Sequence, residues 1–252
     1  MTSKKFSLPV QSTVTNIPFD FAFIVGYQQY PCAKISAINL CRTVQNLLLC
    51  DSTCTEMTIT TPDNNGFFKN FIDFVNGGKE VVLNKQNIFF FRNLSVELQC
   101  DKLAECISNV TIQNAKVSIV FEKLIESNPY QNDVEKYLQA YQYELRFIAS
   151  KLSELIKNTK FDKFNKVPLE VIEVILDPKI RCTVQWSDLF SLVYAIVKLN
   201  EKDERYLSLF SQIPFEQIDS KNAKQFYEMI KGKEVSGSLW LAMTKRLKCN
   251  VK

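Results

Sequence analysis

Hydrophobic residues follow both strand and helix spacing in the first part of the chain and helix spacing alone in the rest, and this difference constrains the fold more than any other feature. Residues 19–25 alternate between the two sides of an extended chain, which predicts a β-strand with one buried face. After residue 110 the spacing is almost wholly that of amphipathic helices. The sequence therefore predicts an α+β domain followed by an all-α domain. We expect the boundary within 110–130 and its hinge at residues 127–129.

The first half of the chain carries the signals of a small sheet with short helices. Pro9, Pro18 and several β-branched residues disfavour a stable helix over residues 1–18. The predicted strands cover 19–26, 30–34, 56–61 and 80–83. The predicted helices are two between 34 and 49, one at 67–75 that stops at Asn76-Gly77-Gly78, one at 88–98, and one capped by Asp101.

Residues 84–106 contain three consecutive phenylalanines and no side chain that suggests catalysis. Apolar residues in this segment recur at helical spacing, at Ile88, Phe91, Leu94 and Leu98. We therefore expect Phe89, Phe90 and Phe91 to be core residues of a buried helix. The alternative, an aromatic cage around a ligand, would require the three rings to be spread around a cavity.

The second half predicts a succession of helices with recognisable ends. Asn132 and Glu135 have the spacing of a capping box, and the helix that follows runs to Leu155. Further helices are predicted at 167–178, at 186–200 with Ser187 or Asp188 as cap, at 215–230 and at 236–247.

The chain contains no histidine, which excludes several kinds of enzyme. Ser-His-Asp and Cys-His activation of a nucleophile, and any imidazole metal site, cannot form within this subunit. An enzyme could still use carboxylates, with Glu170 and Glu173 as a candidate pair, but such a pair also fits a solvated helix face. We predict no catalytic, metal-binding or cofactor-binding residue and no cofactor, and we expect that the protein is not an enzyme.

Cysteine usage and charge indicate an intracellular protein. None of the eight cysteines forms a CxxC pair, and we expect them to be reduced, buried and small apolar residues in a cytoplasmic or nuclear chain. The first residues lack a secretory signal, and no apolar run is long enough for a membrane span. The net charge of +4 is mild, so no nucleic acid is expected. The last 22 residues are basic, which fits a solvated tail or a phosphate-binding patch.

The predicted order of elements in residues 17–110 resembles the BTB (POZ) domain, a small three-stranded sheet flanked by helices. The residues that match the family pattern are Asp20-Phe21-Ala22-Phe23-Ile24-Val25, Tyr30, Lys34, Gly77 or Gly78, Val81–Leu83, Asn87, Ile88–Phe91, Leu98-Gln99, Leu103 and Cys106. After a linker or helix at 111–130, residues 131–247 are similar to the helical BACK region that often follows a BTB domain. Its characteristic helices match FNKVPLEVIEVILDP and TVQWSDLFSLVYAIVKLN.

The resemblance implies a non-enzymatic protein–protein interaction module that self-associates or binds a scaffold, and whose best-known version is a substrate adaptor for a cullin-type ubiquitin ligase. Its partners would be proteins: a second copy in a homodimer, or a cullin scaffold. The family positions for such contacts are Asp20, Ala33, Lys34, Ile35 and Ile38. Ala33 stands where the family has histidine, and the LNKQN loop lacks the acidic residue used for cullin binding. The alternatives are a heterotypic structural or regulatory scaffold without a ubiquitin link, and a nucleic-acid-associated regulator.

Overall fold

The computed structural model describes residues 4–6, 18–77, 81–126 and 133–249, and for 4–6 and 246–249 it describes the backbone alone. The chain divides into two compact units, residues 1–113 and 114–252. A small three-stranded mixed sheet and many helices confirm the predicted α+β class. The predicted hinge at 127–129, the proposed cap Asn132 and the stop residue Gly78 lie outside the described residues.

The N-terminal unit combines short strands with short helices. Its strands are β1 (Lys4–Phe6), β2 (Phe21–Val25), β3 (Gln28–Cys32), β4 (Glu56–Ile59) and β5 (Val81–Leu83). Its helices are α1 (Lys34–Leu40), α2 (Arg42–Cys50), α3 (Phe68–Val75), α4 (Ile88–Glu97) and α5 (Asp101–Ile112). In the three-stranded sheet, β2 is central and pairs antiparallel with β3 and parallel with β4. A separate antiparallel pair joins β1 to β5, a pairing that the sequence did not predict.

Phenylalanine side chains form the core of this unit. The alternation of β2 directs Phe21 and Phe23 to the same buried face. The ring of Phe23 meets those of Phe68 and Phe71 on α3 edge to face, with centroids 5.7 and 6.4 Å apart. Phe71 and Phe74 are also buried. The sheet and α3 are therefore held together by aromatic packing.

The three consecutive phenylalanines of α4 do not all lie in the core. Phe90 and Phe91 are buried, but 45% of Phe89 is exposed, so the prediction for Phe89 was wrong. Successive residues of a helix point about 100° apart, and three in a row cannot share one buried face. Phe90 and Phe91 therefore lie in the core, and Phe89, which points to another side of the helix, is a surface aromatic residue.

The ends of α4 and α5 also differ from the expected ones. Asp101 is the first residue of α5 and makes no capping hydrogen bond, because Cys100 occupies the N-cap position. At the end of α4, the Cys100 N–H donates to the Ser95 carbonyl at 2.9 Å and the Gln99 N–H donates to the Val96 carbonyl at 3.1 Å. These are the two bonds of a Schellman motif, and they place Gln99 in the left-handed region at φ 49°.

Every element described in the C-terminal unit is helical. The α-helices are α6 (Val117–Glu126), α7 (Val134–Ala140), α8 (Gln142–Ser150), α9 (Leu152–Asn158), α10 (Leu169–Leu176), α11 (Trp186–Leu199), α12 (Ser220–Ile230) and α13 (Gly237–Cys249). Three 3₁₀ segments lie between them, at Phe161–Lys166, Glu204–Gln212 and Phe215–Gln217. Within the described residues, no helix is long and apolar enough to cross a membrane.

Several predicted helix boundaries of this unit were wrong. The single helix expected up to Leu155 is three helices, because Tyr141 and Lys151 leave the helical conformation. The side chain that caps the first of them is Asp133, which accepts from the Lys136 N–H at 3.0 Å. At the start of α11 the N-cap residue is Gln185, without a capping side chain, in place of Ser187 or Asp188.

The packing that places α12 beside the rest of its unit is aromatic. Phe226 of α12 meets the rings of Phe210 and Phe215 at centroid distances of 4.8 and 4.7 Å, and all three side chains are fully buried. The opposite side of α12 carries Lys221, Lys224 and Glu228. The helix is therefore fixed by its buried face while its charged face stays open to solvent.

Candidate protein-interaction surfaces

The amino-terminal end of α1 is fixed by a side chain from far upstream. Asp20 accepts a hydrogen bond from the Lys34 N–H at 2.7 Å, whereas the N-cap residue Ala33 offers no side chain for this purpose. The carboxylate thus satisfies one of the unpaired N–H groups at the helix start and lies at the positive end of the helix dipole. Asp20 therefore orients α1 relative to β2.

The predicted interaction residues of α1 differ in how accessible they are. Ile35 is 53% exposed, Ile38 is partly buried against the core, and Lys34 is intermediate. Ala33 is 3% exposed, which leaves it almost no surface for a partner. Ile35 is therefore the one apolar side chain of this predicted set that lies mostly in solvent.

Helix α2 follows α1 and is tied to the junction between α4 and α5. The Thr43 N–H donates to the Leu98 carbonyl at 3.2 Å, and the Thr43 hydroxyl donates to the Glu97 carbonyl at 2.8 Å. Beside them, Arg42 forms an exposed ion pair with Asp101 at 3.2 Å. These contacts fix the beginning of α2, while Leu49 near its other end is exposed.

Thiols in the N-terminal unit are buried unevenly. Cys32, Cys41 and Cys100 are buried, but Cys50 is exposed, so the expectation that all cysteines are buried was wrong. The seven cysteines whose side chains are described are free thiols, as expected.

Burial and the nearby Asp20 carboxylate raise the pKa of Cys32 to about 12. A hydrogen bond with Cys100 and burial raise the pKa of Cys41 well above its ordinary value. Both thiols are therefore protonated and weakly nucleophilic at neutral pH.

Glu97 connects α4 to the end of β4. Its carboxylate accepts hydrogen bonds from the Thr60 N–H, from the Thr60 hydroxyl at 2.8 Å and from the Thr61 N–H at 2.8 Å. Partial burial alone would raise the pKa of Glu97, but the hydrogen bonds from Thr61 and Thr60 outweigh burial and hold this pKa below its ordinary value. The ionised carboxylate of Glu97 therefore links α4 to the end of β4 through hydrogen bonds.

Exposed aromatic residues were missed by the sequence reasoning. Tyr27 lies fully exposed at the tip of the β2–β3 hairpin, whose two-residue turn begins with Gly26 at φ 60°. A glycine in the left-handed region is the usual first residue of such turns, so the pair Gly26-Tyr27 could have located this side chain. Phe89 on α4 is a second exposed ring, and helical geometry alone predicts it.

A cleft lies between α11 and α12 in the C-terminal unit, with a volume of about 570 Å³. We call it the α11–α12 cleft. Its lining residues are Tyr194, Lys198, Glu201, Lys221, Lys224, Gln225, Glu228, Met229 and Lys233. Four lysines against two glutamates give this cleft a positive character that the sequence analysis did not detect.

The carboxylate pair considered from the sequence has an ordinary setting. Glu170 and Glu173 are both partly exposed on α10, and Glu173 accepts a hydrogen bond from the Ser208 hydroxyl at 3.1 Å. In the part of the chain that the structure describes, no three cysteine, aspartate or glutamate side chains are grouped to hold a metal ion. Comparison of the sequence finds no matching protein family and no similar curated protein.

Proposed function

We propose that this chain is a non-enzymatic protein-interaction protein, with a BTB-like N-terminal unit that self-associates and a BACK-like helical unit that serves as a second binding platform. The observation that carries the proposal is an exposed apolar side chain on α1. This helix is oriented by Asp20 and presents Ile35 to solvent with 53% of its surface exposed, at the position where the resemblance places subunit contacts.

The order of elements around α1 supports the same proposal. A β-hairpin leads into α1 and α2, then into β4, α3, β5 and the pair α4–α5. This is the order that the resemblance implies for a BTB domain. Apolar side chains that lie in solvent on a helix held in this way favour association, because their burial removes apolar surface from water.

The solution mass of the full chain tests self-association. We expect light scattering at several concentrations to give a constant mass near twice 29.1 kDa. Ile35→Asp should convert the dimer to a monomer, since it would bury an unpaired charge in the interface. Ile119→Asp on α6 is the matched control, because Ile119 is a similarly exposed isoleucine at 43% and lies in the other unit.

Two results would contradict the proposal. A wild-type chain that stays monomeric at all concentrations would exclude self-association and leave a heterologous partner, such as a cullin scaffold, as the remaining interaction. A dimer that survives Ile35→Asp but dissociates with Ile119→Asp would place the contact in the helical unit and not on α1.

A further inference from the structure

We propose that the α11–α12 cleft binds an acidic peptide segment of a partner protein. The inference rests on the proposed function only in that it treats the helical unit as a binding platform. It concerns a surface of the C-terminal unit, and a monomeric wild-type chain would leave it standing.

Unpaired positive charge is the first observation. Lys198 on α11 and Lys221 and Lys224 on α12 are exposed, and Lys233 follows the end of α12 at the same cleft. Among the ion pairs of the described residues, none involves any of these four lysines. Like charges three residues apart on a helix repel each other, so an acidic ligand would lower the energy of this face.

The shape of the cleft favours a peptide over a small molecule. Pockets for small molecules usually enclose most of the ligand's surface. Six of the nine side chains that line this cleft are exposed, so it is too open to do so. From Lys221 to Met229 the cleft follows α12 for about 12 Å, at 1.5 Å per residue. This length suits about four residues of an extended segment or about two turns of a helix.

The non-basic lining residues favour a polypeptide over a nucleic acid. Glu201 and Glu228 repel phosphates and ligand carboxylates alike, but they can accept hydrogen bonds from peptide N–H groups, which a nucleic-acid backbone lacks. Tyr194 is the one aromatic lining residue; it is partly buried and one of its ring faces already stacks on Phe190 with centroids 5.8 Å apart, so the cleft offers no row of aromatic rings for successive bases to stack on. Met229 supplies an adaptable apolar contact for a peptide side chain.

Fluorescence anisotropy with the full chain tests the inference. The probe is a labelled dodecapeptide of four Glu-Glu-Leu repeats, and its control has glutamine in place of every glutamate. We expect the acidic peptide to bind about tenfold more tightly than the glutamine peptide at low salt, and the difference to shrink as salt is raised.

Charge reversal on both walls locates the binding. Lys198→Glu with Lys224→Glu should weaken binding of the acidic peptide by about tenfold. The matched control is Lys166→Glu with Lys179→Glu, two exposed lysines outside the cleft whose reversal changes the net charge equally and should alter the affinity by less than about twofold. Tryptophan fluorescence of Trp186 and Trp240 checks that each variant is folded, and Lys198→Gln with Lys224→Gln replaces a variant that is not.

Three results would overturn the inference. If both double variants weaken binding equally, the affinity comes from the overall charge of the protein and not from the cleft. If the glutamine peptide binds as tightly as the acidic one, the lysines do not recognise carboxylates. If labelled oligothymidylate binds more tightly than the peptide and loses affinity with Lys198→Glu and Lys224→Glu, the cleft is a nucleic-acid site.

Discussion

Replacement of Glu97 should loosen the N-terminal unit at the junction of α4 and β4. In Glu97→Ala the Thr60 and Thr61 N–H groups and the Thr60 hydroxyl lose their common acceptor. Thr60 is exposed, so its groups can bind water instead. Thr61 is buried, so its N–H is left without a partner.

The expected magnitude follows from this difference between the two threonines. An unsatisfied buried donor costs about 1–3 kcal/mol, and hydrogen bonds that water can replace contribute little. The electrostatic part is further reduced because the Glu97 carboxylate is only partly buried and solvent screens it. We therefore expect Glu97→Ala to lower the free energy of unfolding of this unit by about 2 kcal/mol.

The contribution of Glu97 should depend on pH with a defined sign. Its pKa is lowered in the folded protein, so its stabilisation is fully present above the pKa of an unfolded glutamate, about 4.3, and is lost as pH falls through the folded value. Glu97→Gln keeps the shape and one acceptor but not the charge. The difference in stability between wild type and this variant should be largest near pH 7 and shrink below about pH 4.

The assay must report on the N-terminal unit alone. Both tryptophans of the chain lie in the C-terminal unit, so fluorescence does not serve. Labelling of the buried Cys41 and Cys100 thiols in urea, followed by mass spectrometry, measures unfolding of the N-terminal unit. Glu105→Ala, an exposed glutamate on α5, is the control and should change stability by less than about 0.5 kcal/mol. Equal effects of Glu97→Ala and Glu105→Ala would refute the reasoning, as would a pH dependence that Glu97→Gln leaves unchanged.

The same thiol-labelling measurement checks two further predictions for the N-terminal unit. Gln99→Gly should raise its stability by about 0.5–1 kcal/mol, because Gln99 lies at φ 49° where glycine has no steric penalty. Gln45→Gly within α2 should lower stability by about 1 kcal/mol. If both substitutions changed stability in the same direction, the explanation would be contradicted. Phe71→Ala should lower stability by about 3–5 kcal/mol, because Phe71 is fully buried among other rings; a loss below about 1 kcal/mol would show that its contacts are not those of a close-packed core.

Secondary structure in the N-terminal unit could be predicted because the apolar residues of each segment have either the spacing of a strand or the spacing of a helix. The alternation in β2 and the helical spacing in α3 both match the buried faces in the structure. Pairing was harder to predict. Nothing in the short run Val81–Leu83 indicates that it pairs with Lys4–Phe6 and not with the three-stranded sheet, since both pairings would satisfy its backbone groups.

Helix ends in the C-terminal unit were the least predictable feature. The apolar spacing from Tyr137 to Leu155 continues without interruption, yet Tyr141 and Lys151 break the helix. Each of the three short helices must run in its own direction to bury its apolar side against the rest of the unit. The positions of the breaks therefore depend on tertiary packing, which helix propensity and apolar spacing within one segment do not reveal.

The α11–α12 cleft was invisible in the sequence for a related reason. Lys221, Lys224 and Glu228 recur at helical spacing opposite the buried Phe226, which is the pattern of any solvated helix face. They become part of a cleft because Phe226 packs on Phe210 and Phe215, and this packing holds α12 where its charged side lies near Lys198 of α11. A charged face that stands alone is only solvated, whereas the lysines of α12 and Lys198 around one open groove form the surface that we propose as a site for an acidic peptide. The step from solvated face to candidate site therefore depends on aromatic packing on the opposite side of the helix, where the charged residues take no part.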